Sequence, residues 1–363
     1  MTNEILSAIT LTRLRGLSAS MAMALFKKYQ SATLALEHLD EIPPRFRKNV
    51  RESLPDAREQ AKIELDFCEK KNIKPLVFSS EDYPARLREC DDAPLVLFYR
   101  GNANLNAKRI ISVVGTRKIS EWGKSICQNF CNEIAAIVPD CVVVSGLAYG
   151  VDIHSHRACL KKSLPTVAVL AHGLDRIYPT LHRETAVQML DCGGLLTEYP
   201  SGTNLDKGHF VRRNRIVAGI ADATIVVESA AHGGALITAR LANDYHRDVF
   251  AFPGRVTDEM SQGCLSLIKS HLAQMITCAQ DVADAMNWVT EKVRKQPVQR
   301  DLFQQLTQPQ ELICQLLAKS DGLTSNQIVV ALNMPFSDVT VELFTLEMQG
   351  IVKAVGGGVY RLL

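Results

Sequence analysis

The sequence predicts an α/β protein: a doubly wound, mostly parallel sheet, with a small helical module before it and a winged-helix domain after it. Three observations carry that class. Six short apolar runs recur between residues 110 and 252, each separated from the next by a helix-length segment: IISVV (110–114), CVVVS (141–145), TVAVL (166–170), GLLT (194–197), TIVVE (224–228) and VFAF (249–252). Unbroken runs of this kind are strands buried on both faces, as in a parallel sheet covered by crossover helices. Ahead of them, residues 1–70 place apolar side chains at spacings of three and four, the period of amphipathic helices. Behind them come three short helical patterns and two strand-like pieces.

In chain order, ITLTRLRGLSASMAMALFKKY is helical with a tight break at Gly16. EIPPRFRKNV supplies a Pro-Pro turn, and REQAKIELDFCEKKN a further amphipathic helix. Residues 1–72 thus read as a helix-hairpin-helix or SAM-like module, more often scaffold than binder. Residues 73–289 hold the strands and form a Rossmann-like domain. The polar, Gln-rich TEKVRKQPVQRDLFQQLTQPQ, with its two prolines, marks a linker over 290–307. In 308–363, ELICQLLAK, SNQIVVALN and SDVTVELFTLEMQG precede IVKAVGGGVYRLL, the order of a winged helix. Its third helix would read a DNA groove, yet it carries Asp338, Glu342 and Glu347 and no basic residue. Phosphates would repel it, so protein contact or packing is expected there.

The chain's 363 residues allow two or three domains, and 47% hydrophobic with 22% charged residues is ordinary globular composition. Net charge is only +2, so any surface for nucleic acid has to be a local patch. Ten cysteines lie scattered without a CxxC pair, which argues against structural zinc. Cys127 and Cys131 would share one side of a helix. No signal-peptide pattern opens the sequence and no stretch approaches the roughly 20 apolar residues of a membrane span. A cytoplasmic protein with reduced thiols and no membrane partner is expected.

Ligands of doubly wound folds bind beyond the carboxyl ends of the strands. In VVGTRKISEWGKSI, Gly123-Lys124-Ser125 imitates a phosphate-binding loop, but Lys118 stands where that loop needs its first glycine. Arg117 is the more informative residue: it projects from the ligand edge beside a helix N-terminus that favours anions, or else simply into water. In VVVSGLAYGVDIHSHRACL, Ser145 and Gly146 follow the strand directly, and Asp152 suits an N-cap. His154 and His156 diverge on a helix and lack further ligands, so packing is the expected role and no metal site is assigned. ESAAHGGALITARLA is similar to the double-glycine loop of nucleoside-monophosphate phosphoribohydrolases, but Ala239-Arg240 stand where those enzymes need a glutamate.

The fourth crossover, EYPSGTNLDKGHFVRRNRIVAG, is the most pointed segment. Lys207, His209, Phe210, Arg212, Arg213 and Arg215 fall within nine residues with no acid between them. Cations neutralise phosphates, and a protruding aromatic offers a base a stacking surface. With a helix beginning near Phe210, Arg212 and Arg215 share one side while Arg213 turns toward the sheet or a carboxylate. The alternative is a hydrated basic turn with Phe210 packed inward.

The runs VVGTR, SGLAYGVDIHSHRACL, GLDRIYP, GGLLTEYPSGT, GHFVRRNRIVAGIADATIVVESAAHGGALITARLA, VFAFPG and GCLSLI resemble, in unbroken order over about residues 75–285, the DprA/Smf family of DNA-processing proteins. The resemblance implies a non-catalytic, cofactor-free role: binding and protecting single-stranded DNA during natural transformation and loading the RecA recombinase, displacing single-strand-binding protein. It also implies a homodimer formed through the Rossmann-like domain, and a DNA groove built on Arg117, Lys207 and Phe210. Gly115, Ser145, Gly146, His209, Arg212, Arg213 and Arg215 complete the expected DNA-binding set. Gly115-Thr116-Arg117 replaces the family's usual Gly-Ser-Arg and keeps a hydroxyl. An enzyme or sensor acting on a nucleotide or phosphoribosyl compound is the alternative, although no acid–base pair or metal set is visible in these loops.

Overall fold

The computed structural model describes residues 2–288, 306–318, 320, 322–355 and 358–362, in two compact units, 1–292 and 293–363. Most of the expected linker 290–307, and Gly356 and Gly357 of the C-terminal hairpin, lie outside the described residues.

The first unit opens with α1 (Thr2–Arg13), α2 (Ala19–Tyr29), α3 (Ala32–Glu37) and α4 (Pro44–Lys70). Gly16, at φ 88°, makes the break between α1 and α2, where the left-handed backbone favours glycine. The Pro-Pro pair does not end in a turn. Pro44 occupies the first position of α4, where its missing N–H costs nothing, and RFRKNV continues the helix. Val50, Ser53, Ala57, Ala61, Glu64 and Cys68 form its buried stripe.

The sheet follows: β1 (Lys74–Val77), α5 (Ala85–Arg88), β2 (Val96–Gly101), β3 (Arg109–Val114), α6 (Glu121–Ile137), β4 (Cys141–Ser145), α7 (Val151–Lys161), β5 (Thr166–Leu170), α8 (Arg183–Gln188) and β6 (Gly193–Thr197). It continues with α9 (Lys207–Gly219), β7 (Ala223–Val226), α10 (Gly234–Asp244), β8 (Asp248–Ala251), α11 (Gln262–Lys269), β9 (Gln274–Met275) and α12 (Ala279–Ala285). All six apolar runs are strands. The order is β1-β2-β6-β5-β4-β3-β7-β8-β9, parallel from β6 to β9, with β1 and β2 antiparallel at one edge. From β3 the chain winds outward to β6, then α9 carries it back to β7 on the other side of β3. Winding direction therefore reverses between β3 and β7.

Alternation along the strands fills both faces. Ile110 and Val114 of β3 join the core that α9 and α10 cover, whereas Ile111 and Val113 join the one beneath α6 and α7. Cys127 and Cys131 do share one side of α6, buried against α7, and burial pushes the Cys127 thiol up to about 12. The N-terminal helices share a core with Val77, Val96 and Phe98 of β1 and β2.

The second unit comprises α13 (Gln308–Leu317), β10 (Leu323–Thr324), α14 (Ser325–Leu332), α15 (Phe336–Met348), β11 (Val352–Val355) and β12 (Val359–Leu362). Its three strands pair antiparallel in the order β10-β12-β11, over a core that includes Ile313, Ile328, Leu343 and Val352. Among the described residues no single helix is long and apolar enough to cross a membrane.

Candidate functional site

Where winding reverses, the loops leaving β3 and β7 part in opposite directions and open a crevice, the place where such sheets bind ligands. A cleft of about 610 Å³ lies there. The β3–α6 loop contributes Gly115 and Arg117, the segment after β5 contributes Tyr178, and α9 contributes Lys207 and Phe210. The β7–α10 loop, with His232, Gly233 and Gly234, closes the other wall.

The register of α9 decides which cations reach this cleft. Asp206 caps the helix, its Oδ1 accepting from Gly208 N at 2.7 Å, so α9 begins at Lys207 rather than near Phe210. Lys207, Phe210, Val211 and Asn214, at i, i+3, i+4 and i+7, therefore face the cleft. The Arg117 guanidinium sits over the Phe210 ring, 5.6 Å from its centroid. Tyr178 meets the same ring edge-on at 5.8 Å. Arg117 and Lys207 are exposed, and neither has a carboxylate partner among the described residues. Two uncommitted cations and two aromatic rings thus converge on one opening.

Several expected site residues are committed to bonds within the fold. Arg213 does turn toward the sheet: only 4% exposed, it donates to Gly146 O at 2.7 Å and to Val169 O. A Cβ at Gly146 would collide with that guanidinium, which accounts for the glycine. Asp152 is the second residue of α7, after Gly150, rather than its N-cap. Its Oδ2 accepts from Gly146 N at 3.1 Å and Ala148 N at 3.3 Å. Burial raises the Asp152 carboxyl and lowers Arg213, and each charge partly offsets the shift of the other. Ser145 is fully buried with Oγ donating to Val113 O at 2.6 Å. Ser145 and Gly146 are therefore committed within the fold.

Arg215 does share one side of α9 with Arg212, both reaching Glu198, but it is buried there, donating to Glu198 at 2.5 Å and to Asp92 O at 2.6 Å. Arg212, half exposed, lies 3.6 Å from the same Glu198, on the flank of α9 away from Phe210. His209 stacks on Tyr199 with ring centroids 4.3 Å apart. Of the ten expected residues, Gly115, Arg117, Lys207, Phe210 and Arg213 line the cleft. Tyr178, His232 and Asn214 join them in the cleft from outside the expected set. Tyr178 was within reach of the strand-end rule, because it lies on the loop after β5.

The α6 N-terminus beside Arg117 is already occupied. Ser120 caps it by accepting from Gly123 N at 3.0 Å, and Glu228 accepts from Ser120 N at 2.9 Å and Ser120 Oγ at 2.5 Å. Lys124 pairs with Glu121. The apparent phosphate loop is therefore an internally satisfied helix start. His156 is buried against Thr166 Oγ1 at 2.7 Å, and burial pushes it down to about 3, the neutral form. Among the described residues no cluster of three or more His, Cys, Asp or Glu side chains could hold a metal ion.

Residues 74–287 match the family described as DNA recombination-mediator protein A. The putative DNA processing protein DprA of Mycobacterium tuberculosis is 35% identical over 275 residues, 75% of this chain and 70% of its own. Protein Smf of Synechocystis is 31% identical over 333 residues, 82% of each. Among solved structures, DNA processing protein A of Streptococcus pneumoniae superposes with a TM-score of 0.62 at 30% identity, covering 76% of this chain and 95% of that one. The Helicobacter pylori protein, described for its single-stranded DNA binding mode, gives 0.54 at 28% identity over 60% and 96%. With its doubly wound sheet, the cleft at its switch point and these matches, the chain belongs to the DNA recombination-mediator protein A family.

Proposed function

We propose that this protein binds single-stranded DNA in the switch-point cleft and acts as a recombination mediator rather than a catalyst. The observation that carries this reading is the convergence of Arg117, Lys207 and Phe210 from two separate elements, with neither cation neutralised by a carboxylate. Phosphates would sit on Arg117 and Lys207, and a base would stack on Phe210 once the Arg117 guanidinium leaves the ring for a phosphate. Base stacking on an aromatic contributes roughly 1–3 kcal/mol and tolerates any sequence. The one carboxylate lining the cleft, Asp152, accepts from two backbone N–H groups, and the buried Glu228 nearby is engaged by Ser120, which supports binding over acid–base chemistry.

The family membership supports the wider role: protection of incoming DNA in transformation, loading of RecA against single-strand-binding protein, a homodimer through the Rossmann-like domain, and a cytoplasmic location. The second unit serves protein contact in this scheme, because α15 presents Asp338, Glu342 and Glu347 and exposes Val341, Phe344 and Met348.

The test is Arg117→Ala with Lys207→Ala, titrated with oligo-dT over a salt series. Affinity falls sharply, and the slope of log K against log salt shrinks by roughly 1.4, two phosphates at about 0.7 each. Unchanged affinity removes the cleft from the mechanism. Stabilisation by mononucleotides but not by a thirty-residue oligonucleotide would favour a small-molecule site.

A further inference from the structure

A second cavity, of about 450 Å³, lies beside the α4 C-terminus, between β2 and α8. That volume is within the roughly 300–1,000 Å³ of ligand pockets. Its walls are aliphatic: Leu174, Ile177, Leu190 and Leu195 line it, and Val187 of α8 lies 55% exposed at its side. Leu181, close by in the chain, is 75% exposed. Scattered apolar side chains on a surface need no explanation, but a group gathered around a concavity marks a contact site.

The unpaired charge around this cavity has one sign. Lys71, Arg100 and Arg183 border it, and none has a carboxylate partner among the described residues. Its single carboxylate, Asp175, is held by Arg176 at 2.8 Å. From this apolar floor and cationic rim we infer that the pocket between α4, β2 and α8 docks a short acidic peptide segment of a partner protein, anchored by an apolar side chain.

Two features favour peptide over nucleic acid. A polynucleotide brings no aliphatic group to fill a floor of leucine and isoleucine, and bases stack on exposed aromatic faces. The one aromatic here, Phe67, is half buried and packs with the N-terminal core. A peptide supplies both parts: an apolar anchor in the pocket, and carboxylates at the rim, where charge complementarity speeds and orients association. The site is separate from the DNA cleft but adjoins it in sequence, since Ile177 lines one and Tyr178 the other.

The experiment uses the full chain and a fluorescein-labelled peptide, Asp-Asp-Glu-Asp-Leu-Phe, followed by anisotropy, with oligo-dT binding measured in parallel. Binding is expected, weakened roughly tenfold or more by Lys71→Glu with Arg183→Glu. Val187→Asp, a surface change on α8, has a similar effect, while oligo-dT affinity stays unchanged in both variants. Peptides with Asn for the acids, or Gly for Leu-Phe, lose binding. The inference is overturned by no binding, by binding that survives either variant or either peptide change, or by variants that weaken oligo-dT instead. The last outcome would make the pocket part of a nucleic-acid track.

Discussion

Four arginines of one neighbourhood have different physical fates. Arg117 and Arg212 keep solvent contact, whereas Arg213 and Arg215 are taken inside by carbonyl oxygens and by Glu198. Stability and binding should separate accordingly. Arg215→Ala leaves the buried Glu198 without its main partner, and breaking such a pair costs roughly 3–5 kcal/mol. A drop in melting temperature of several degrees is expected by calorimetry. Arg117→Ala removes no buried contact, so stability should stay within about 0.5 kcal/mol while oligo-dT affinity falls. If the two variants melted alike, the division between bracing and binding arginines would be wrong. Residue type alone did not reveal that division. The sequence shows a run of cations, but the carboxylate that neutralises Arg215 belongs to residue 198, on the other side of the connection from β6.

At the scale of elements, the cleft depends on how α9 is anchored at its start. The loop before it is clipped to the N-terminal helices through Glu64 of α4, which is buried. Glu64 accepts from Ser201 N at 2.9 Å, from Ser201 Oγ at 2.6 Å and from Arg13 of α1 at 2.9 Å. The helical module therefore helps set where Lys207 and Phe210 stand. Glu64→Gln keeps the shape but loses the charge in these bonds, at a cost of roughly 1–3 kcal/mol. Faster amide exchange is expected in residues 199–210, with β3–β5 unaffected and with weaker oligo-dT binding. Uniform exchange across the unit would mean only general destabilisation. Apolar periodicity made β3 to β8 readable, since each is buried on both faces. It did not reveal β1, β2 or β9: the first two form an antiparallel edge joined through a long irregular connection, and β9 is two residues long.

For the whole molecule, pH and salt act through different groups. His156 is neutral in the fold, at about 3 against an ordinary 6.5, and burial lowers His154, His172 and His182 as well. Between the two His156 values the unfolded chain binds a proton that the folded chain does not, so stability rises with pH there. The contribution is complete above pH 6.5 and is lost on acidification, roughly 2 kcal/mol by pH 5 from His156 alone. Asp152, whose carboxyl is raised, works in the opposite sense just above its ordinary range, but the four histidines outnumber it. Melting temperature should therefore fall from pH 7 to pH 5, and a flat profile would contradict the burial of His156. By itself the sequence determined the α/β class, the six central strands, the family and five residues of the cleft, because hydrophobic period and local motifs are written in consecutive residues. Only the tertiary structure decided which cations stay free, that Tyr178 joins Phe210, that Glu228 fills the α6 N-terminus, and that Glu64 ties the helical module to α9. Each of these depends on a partner far away in the chain, and whether a charge is spent inside the fold or left for a ligand depends on that partner.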